Sequence, residues 1–182
     1  MDELRALMSP RIITPALVLA AAVACGSSSK TAMPPKGMVW KDMNADQRHA
    51  YMEKVVMPKA KAVFAAFDPK YQAMDCKTCH GPGTEDGVYE MPNPKIRPLP
   101  NSPEAFMALM GKDAEVQRFT PFMVGKVEPM MGELLHITVF DPQTNTGELS
   151  CENCHTLVDE AGKIVAPEPR PGHEPHDDHR AR

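Results

Sequence analysis

Cys76-Lys77-Thr78-Cys79-His80 and Cys151-Glu152-Asn153-Cys154-His155 twice place two thiols three residues apart with an imidazole directly after the second. Side chains three apart on a helical turn are neighbours, so both thiols of a pair can reach one planar partner while the histidine is delivered to its centre. That is the C-x-x-C-H pattern through which haem c is attached: two thioethers to one porphyrin and a proximal histidine on the iron. The expected assignment is Cys76, Cys79, Cys151 and Cys154 as attachment residues and His80 and His155 as iron ligands, for two covalently bound haem c groups. Zinc held by the four thiols would give no reason for a histidine after each pair. Two-residue gaps make poor structural disulfides, and a redox-active pair would need a βαβ setting that the sequence lacks.

The sixth ligand decides what such an iron can do: methionine sulfur raises the potential, a second histidine lowers it, and an open position admits small ligands or peroxide. A ligand on the helix before its own motif should be followed by apolar residues that continue the same face over the cofactor. Met57, followed by Ala60, Val63 and Phe64, meets this, and Met131, followed by Leu134, Ile137 and Thr138, meets it less fully. Met57 and Met131 are the expected sulfur ligands. Met52 and Met123 match each other between the halves, but lysine and proline interrupt the faces after them. His49 in a polar run reads as a surface residue, and His136 at the end of an apolar face reads as a capping or core histidine.

Four kinds of element must position these groups. Asn44 with Gln47 forms a capping-box signature for a helix running to Phe67, where Asp68-Pro69 ends it, and Pro58 inside it predicts a bend or break. Gly81 to Pro103 is proline-rich, lacks a sustained period and reads as a loop linking two halves. Ser102-Pro103-Glu104 starts a short helix that Gly111 ends, and a longer helical stretch runs from about Asp113 to His136, interrupted by Pro121 and Pro129. The halves align as an internal repeat: Tyr51-Met52, Pro58, Phe67-Asp68-Pro69 and Cys76 correspond to Phe122-Met123, Pro129, Phe140-Asp141-Pro142 and Cys151. In its ungapped part Met57 faces Glu128 and Met131 faces Ala60. β-branched alternation is scarce, so the expected class is mainly α: two tandem helix, turn and C-x-x-C-H units packed as one multihaem domain with long Pro-rich loops.

Aromatic residues make up 5% of the 182-residue chain, against 14 methionines and 19 prolines, so a core built of side chains alone would be thin. A formal net charge of −4 gives no basic footprint for nucleic acid. The fifth cysteine, Cys25, follows an apolar run from Ile12 to Ala24 that is too short for a membrane span of about 20 residues and reads as a signal peptide. Ala22-Val23-Ala24-Cys25-Gly26 resembles a bacterial lipobox, departing from it at Ala22, where leucine is usual; Ala22-Val23-Ala24 also satisfies an ordinary cleavage rule. The expected organisation is a signal peptide over 1–24, lipidation at Cys25, a flexible tether over 25–38, a dihaem domain over 39–165 with units 39–90 and 104–165, and a disordered His-containing tail over 166–182. Export to the periplasm follows either way, with a lipid anchor holding the protein at a membrane.

A methionine-bearing helix, a turn and C-x-x-C-H in tandem, carried by Met57 to Phe64 before Cys76-His80 and by Met131 to Ile137 before Cys151-His155, resembles the haem units of the cytochrome subunit of photosynthetic reaction centres. That subunit has four units where this chain has two, so the resemblance implies a shared packing unit and not photosynthesis. Met52 to Gly81 is also similar to exported dihaem cytochromes of myxobacteria and related proteobacteria. These resemblances imply an electron carrier, not an enzyme, that exchanges single electrons with a redox protein donor and acceptor. The rivals are a small dihaem peroxidase and a haem-based gas sensor, each needing one open iron. The intact mass of the chain exported from a host with haem-maturation machinery is expected to show two haem additions and loss of residues 1–24.

Overall fold

The computed structural model describes residues 33–166. The expectations placed on residues 1–24, on Cys25 and on the tail beyond 166 lie outside them. Asn44 opens the first helix as its spacing predicts: Asn44 Oδ1 accepts from the Gln47 N–H at 2.9 Å while Gln47 Oε1 accepts from the Asn44 N–H at 3.0 Å. Helices α1 (Ala45–Tyr51) and α2 (Met57–Phe67) are then one helical run joined by a wider π turn over Met52–Val56. Pro58 has no N–H to give, and its ring would press on the carbonyl four residues back. The π turn, closed by the Met57 N–H on the Met52 carbonyl, absorbs that conflict without ending the helix. The anticipated bend is therefore a π bulge.

The same device recurs in the second half. Asp113 caps α5 (Ala114–Phe122), which carries Pro121 within it without the expected interruption; a π turn follows over Met123–Val127, and α6 (Glu128–Leu135) carries Pro129 where α2 carries Pro58. His136 ends this run in the left-handed conformation, the capping role read for it. Unlike Phe67-Asp68-Pro69, the corresponding Phe140-Asp141-Pro142 lies beyond its helix. Both aspartates nevertheless make the same turn: Asp68 Oδ1 accepts from the Lys70 N–H at 3.1 Å and Asp141 Oδ1 from the Gln143 N–H at 2.8 Å.

The two long runs pack antiparallel. The Tyr51 hydroxyl, at the start of the first, donates to the Leu134 carbonyl near the end of the second at 2.7 Å, and Val56 is buried with Leu134 and Leu135. At the other end Phe67 stacks on Phe122 with centroids 3.9 Å apart, and Phe64, Phe119 and Tyr71 close round them edge-on. Arg118 lies over Phe67 at 4.5 Å and donates to Asp68 at 3.0 Å, roofing this aromatic cluster. Elsewhere the core is thin. Among the described residues the largest fully buried side chain is not apolar; it is Asn93.

Asn93 belongs to the segment read as a plain linker, and here the structure differs from the expectation. After α3 (Cys76–His80) the chain makes a 3₁₀ turn over Pro82–Asp86 and later forms strand β1 (Leu99–Pro100). β1 pairs in parallel with β2 (Leu157–Val158), Leu99 opposite Leu157, and β2 pairs antiparallel with β3 (Ile164–Val165). Strands of two residues leave no alternating pattern to read. The short helix α4 (Pro103–Met110) starts on Ser102, whose Oγ accepts from the Ala105 N–H. The described residues are mainly helical, as expected, with this small sheet added.

Phe122, 7% exposed, is the apolar joint between the two helical runs. Phe122→Ala is expected to cost about 3–5 kcal/mol, readable as a lowered midpoint in urea denaturation.

Candidate cofactor-attachment site

Each cysteine pair sits on one short turn, and both turns start with the same device. Before the first, Asp75 Oδ1 accepts from the Lys77 N–H at 3.0 Å and Thr78 Oγ1 accepts from the Asp75 N–H at 3.3 Å. Before the second, Asn153 Oδ1 accepts from the Ser150 N–H at 2.7 Å. In both, the residue just before the second cysteine reaches back to the backbone ahead of the first. Cys76 and Cys79 thus lie on α3, while Cys151–Asn153 is a tighter 3₁₀ turn that delivers Cys154 and His155 after it. The four thiols are free.

After His80 the chain leaves α3 through Gly81, at φ +77°, where a Cβ would come within 3.2 Å of Asn93 Oδ1. Asn93 is 1% exposed and joins the two motifs. Its Nδ2 donates to the Cys79 carbonyl at 2.8 Å, its backbone N–H donates to the Cys154 carbonyl at 3.0 Å, and its Oδ1 accepts from the Lys95 N–H at 2.8 Å. Farther along, the Arg97 carbonyl lies 2.8 Å from His155 Nδ1, and the Leu99 and Asn101 N–H groups donate to the Thr156 and Val158 carbonyls. The proline-rich segment is a strap laid along the second motif.

The His155 contact bears on ligation. A backbone carbonyl can only accept, so Nδ1 carries the proton and the lone pair is left on Nε2, the arrangement by which a metal-binding imidazole is oriented. Burial pushes the His155 imidazole down, with the Arg97 carbonyl acting the other way, and favours the neutral form that can ligate. Arg97 also binds Asp113 through its guanidinium at 2.5 Å, so one residue ties the second histidine to the cap of α5 and holds the Asp113 carboxyl below its usual range. His80 lines a cleft of about 120 Å³ with Pro82, Val88, Asn93 and Pro94. Tyr89 lies edge-on to His80 at 5.5 Å and to His49 at 5.3 Å. His49, read as a surface histidine, is indeed exposed yet belongs to the surroundings of the first motif.

Burial pushes the Cys79 thiol up to about 11, with Cys76 adding to it, and the Cys154 thiol up to about 12, with Cys79 the largest charge acting on it. The carbonyls of these two cysteines accept from the same residue, Asn93. Such thiols lack the lowered pKa of a catalytic dithiol. Among the described residues no three His, Cys, Asp or Glu side chains converge in a group that could hold a metal ion.

Met57 is half-buried where the π turn meets α2. Met131 packs against Val56, Leu134 and Leu135 together with Met52 and Met130. Glu128, at the repeat position of Met57, is half-buried; burial raises its carboxyl, and its charge contributes to the upward shifts of Cys151 and Cys154, so this position of the helix looks toward the second motif. The sequence already sets Glu128 opposite Met57, a departure from the repeat by which the two sites need not be ligated alike. Sequence reasoning missed Asn93, Tyr89 and Arg97. For Asn93 the one available signal was an asparagine among prolines, a former of local turns.

The donor set suits haem c: a thiol pair on each single turn, a histidine held for ligation through Nε2, and a domain with few large apolar side chains at its centre. Comparisons with protein-family models, with curated proteins and with solved structures find no match to this chain. In the haem-free chain at pH 8, alkylation of Cys79 by iodoacetamide is expected to be about 100-fold slower than that of a free cysteine, because the raised pKa withholds the thiolate; peptide mass mapping over time checks it.

Proposed function

We propose that this chain is an exported dihaem c-type cytochrome that carries single electrons between redox protein partners at the periplasmic side of a membrane, tethered through Cys25. The observation that carries the reading is the pair of C-x-x-C-H motifs, each following one of the two long helical runs and both held to one strap, with His155 oriented by the Arg97 carbonyl. Haem supplies a reversible one-electron couple when bound. The chain's own residues do the rest. Cys76 and Cys79, and Cys151 and Cys154, anchor the two groups; His80 and His155 supply the proximal nitrogen; Met57 and Met131 are the proposed sulfur ligands. A protein with a radius of gyration of about 14 Å brings two such groups within about a dozen ångströms, close enough for electron exchange between them.

A second reading draws on Glu128. A carboxyl raised by burial beside the second motif is the kind of group a dihaem peroxidase keeps near an open iron. The oxidised spectrum separates the two. Six-coordinate low-spin iron with the weak far-red band of methionine ligation supports the carrier, and a high-spin component assigned to the second site supports the peroxidase. Met57→Ala is expected to remove about half of the far-red band and lower the potential of one haem only; spectroelectrochemistry reads both. A protein that matures without bound haem would end the proposal.

A further inference from the structure

Electron exchange between two cofactors depends on how far apart they are and how their planes lie. When both are anchored covalently, the relative position of the two anchoring turns sets that geometry. The turns here are far apart in sequence and belong to opposite halves, and the long helices pack through Val56, Leu134 and the Phe67–Phe122 stack, contacts in which no cysteine takes part. What reaches from one anchor to the other is Asn93.

We propose that Asn93 is the positioning residue that fixes the two haem groups relative to each other, an inference that rests on the dihaem reading above. Its side chain grips the Cys79 carbonyl, its main chain grips the Cys154 carbonyl, and the Lys95 N–H holds its amide in place. The clasp thus spans one residue and two hydrogen bonds. The Asn93 side chain is enclosed at 1% exposure, so the amide that donates to Cys79 has little access to water as an alternative partner. Gly81 leaves room for it: a Cβ there would sit against Asn93 Oδ1, at a backbone conformation that already favours glycine. The parallel pairing of Leu99 with Leu157 and the Arg97 bond to His155 continue the strap along the second motif, so movement at Asn93 displaces the first motif from a stiff second one.

The test uses the full-length protein matured with haem. Two neighbouring haems give an exciton couplet in Soret circular dichroism whose size depends on their separation and mutual angle. Intact mass first counts haems in the wild type, and fewer than two would overturn the dihaem reading itself. Asn93→Ala is expected to keep both haems and at least halve the couplet. Asn93→Asp keeps the acceptor for Lys95 and loses the donor only while ionised, so its couplet should match the wild type at acid pH and shrink as the introduced carboxyl titrates. Val116→Ala, which opens the buried face of α5, should lower the melting temperature and leave the couplet unchanged. An unaltered couplet in both Asn93 variants overturns the inference. Loss of one haem in both would overturn it equally, because Asn93 would then build one site and not space the two.

Discussion

The carbonyls of Cys79 and Cys154, one in each motif, both accept a hydrogen bond from a single enclosed residue. Asn93 supplies both. Burying a polar side chain costs free energy unless its groups are paired, and here they are: the amide nitrogen with Cys79, the amide oxygen with Lys95, the backbone nitrogen with Cys154. Because these partners come from both halves, the clasp cannot form until the strap, the first motif and the second motif are all in place. The apolar contacts, which are few, hold the helices; the hydrogen bonds of the strap hold the sites.

The helices themselves answer a local conflict in the same way twice. A proline inside a helix removes one bond and crowds one carbonyl, and each run widens by one π turn just ahead of it, over Met52–Val56 and over Met123–Val127. The widened turn rotates the residues after it relative to those before, and so decides which side chains look inward. Val56 and Val127 both become buried, while the position after each holds Met57 in one half and Glu128 in the other. Through the two π turns the repeat keeps its backbone and changes its chemistry. That inequality separates the two proposed sites more than any difference between the pentapeptides.

Electrostatics follow the same division. The Cys79, Cys151 and Cys154 thiols are raised by burial, Glu128 by burial, and the His155 imidazole lowered by it, all toward neutral forms. The charged pairs stay at the rim: Arg97 with Asp113, Arg118 with Asp68, Lys77 with Glu85. Neutral groups within and charges outside would suit the apolar macrocycle of the proposed haem sites.

Much of this was legible in the chain. The helix limits at Asn44, Phe67, Ser102, Gly111, Asp113 and His136 come from caps and breakers, which act on their nearest neighbours and leave marks at fixed offsets. The two pentapeptides and the repeat were legible for the same reason. The consequence of Pro58 and Pro129 was readable only as a disturbance, because whether a helix breaks, kinks or widens depends on what packs on either side of it. Asn93, Arg97 and Tyr89 carried no mark of their roles. Their partners lie across long loops or in the other half, and a hydrogen bond to a distant backbone carbonyl has no sequence signature, since every residue offers one. Local chemistry was therefore written in the residues, and the bringing together of the two motifs was decided only when the chain folded and the polar groups of the enclosed Asn93 had to be paired.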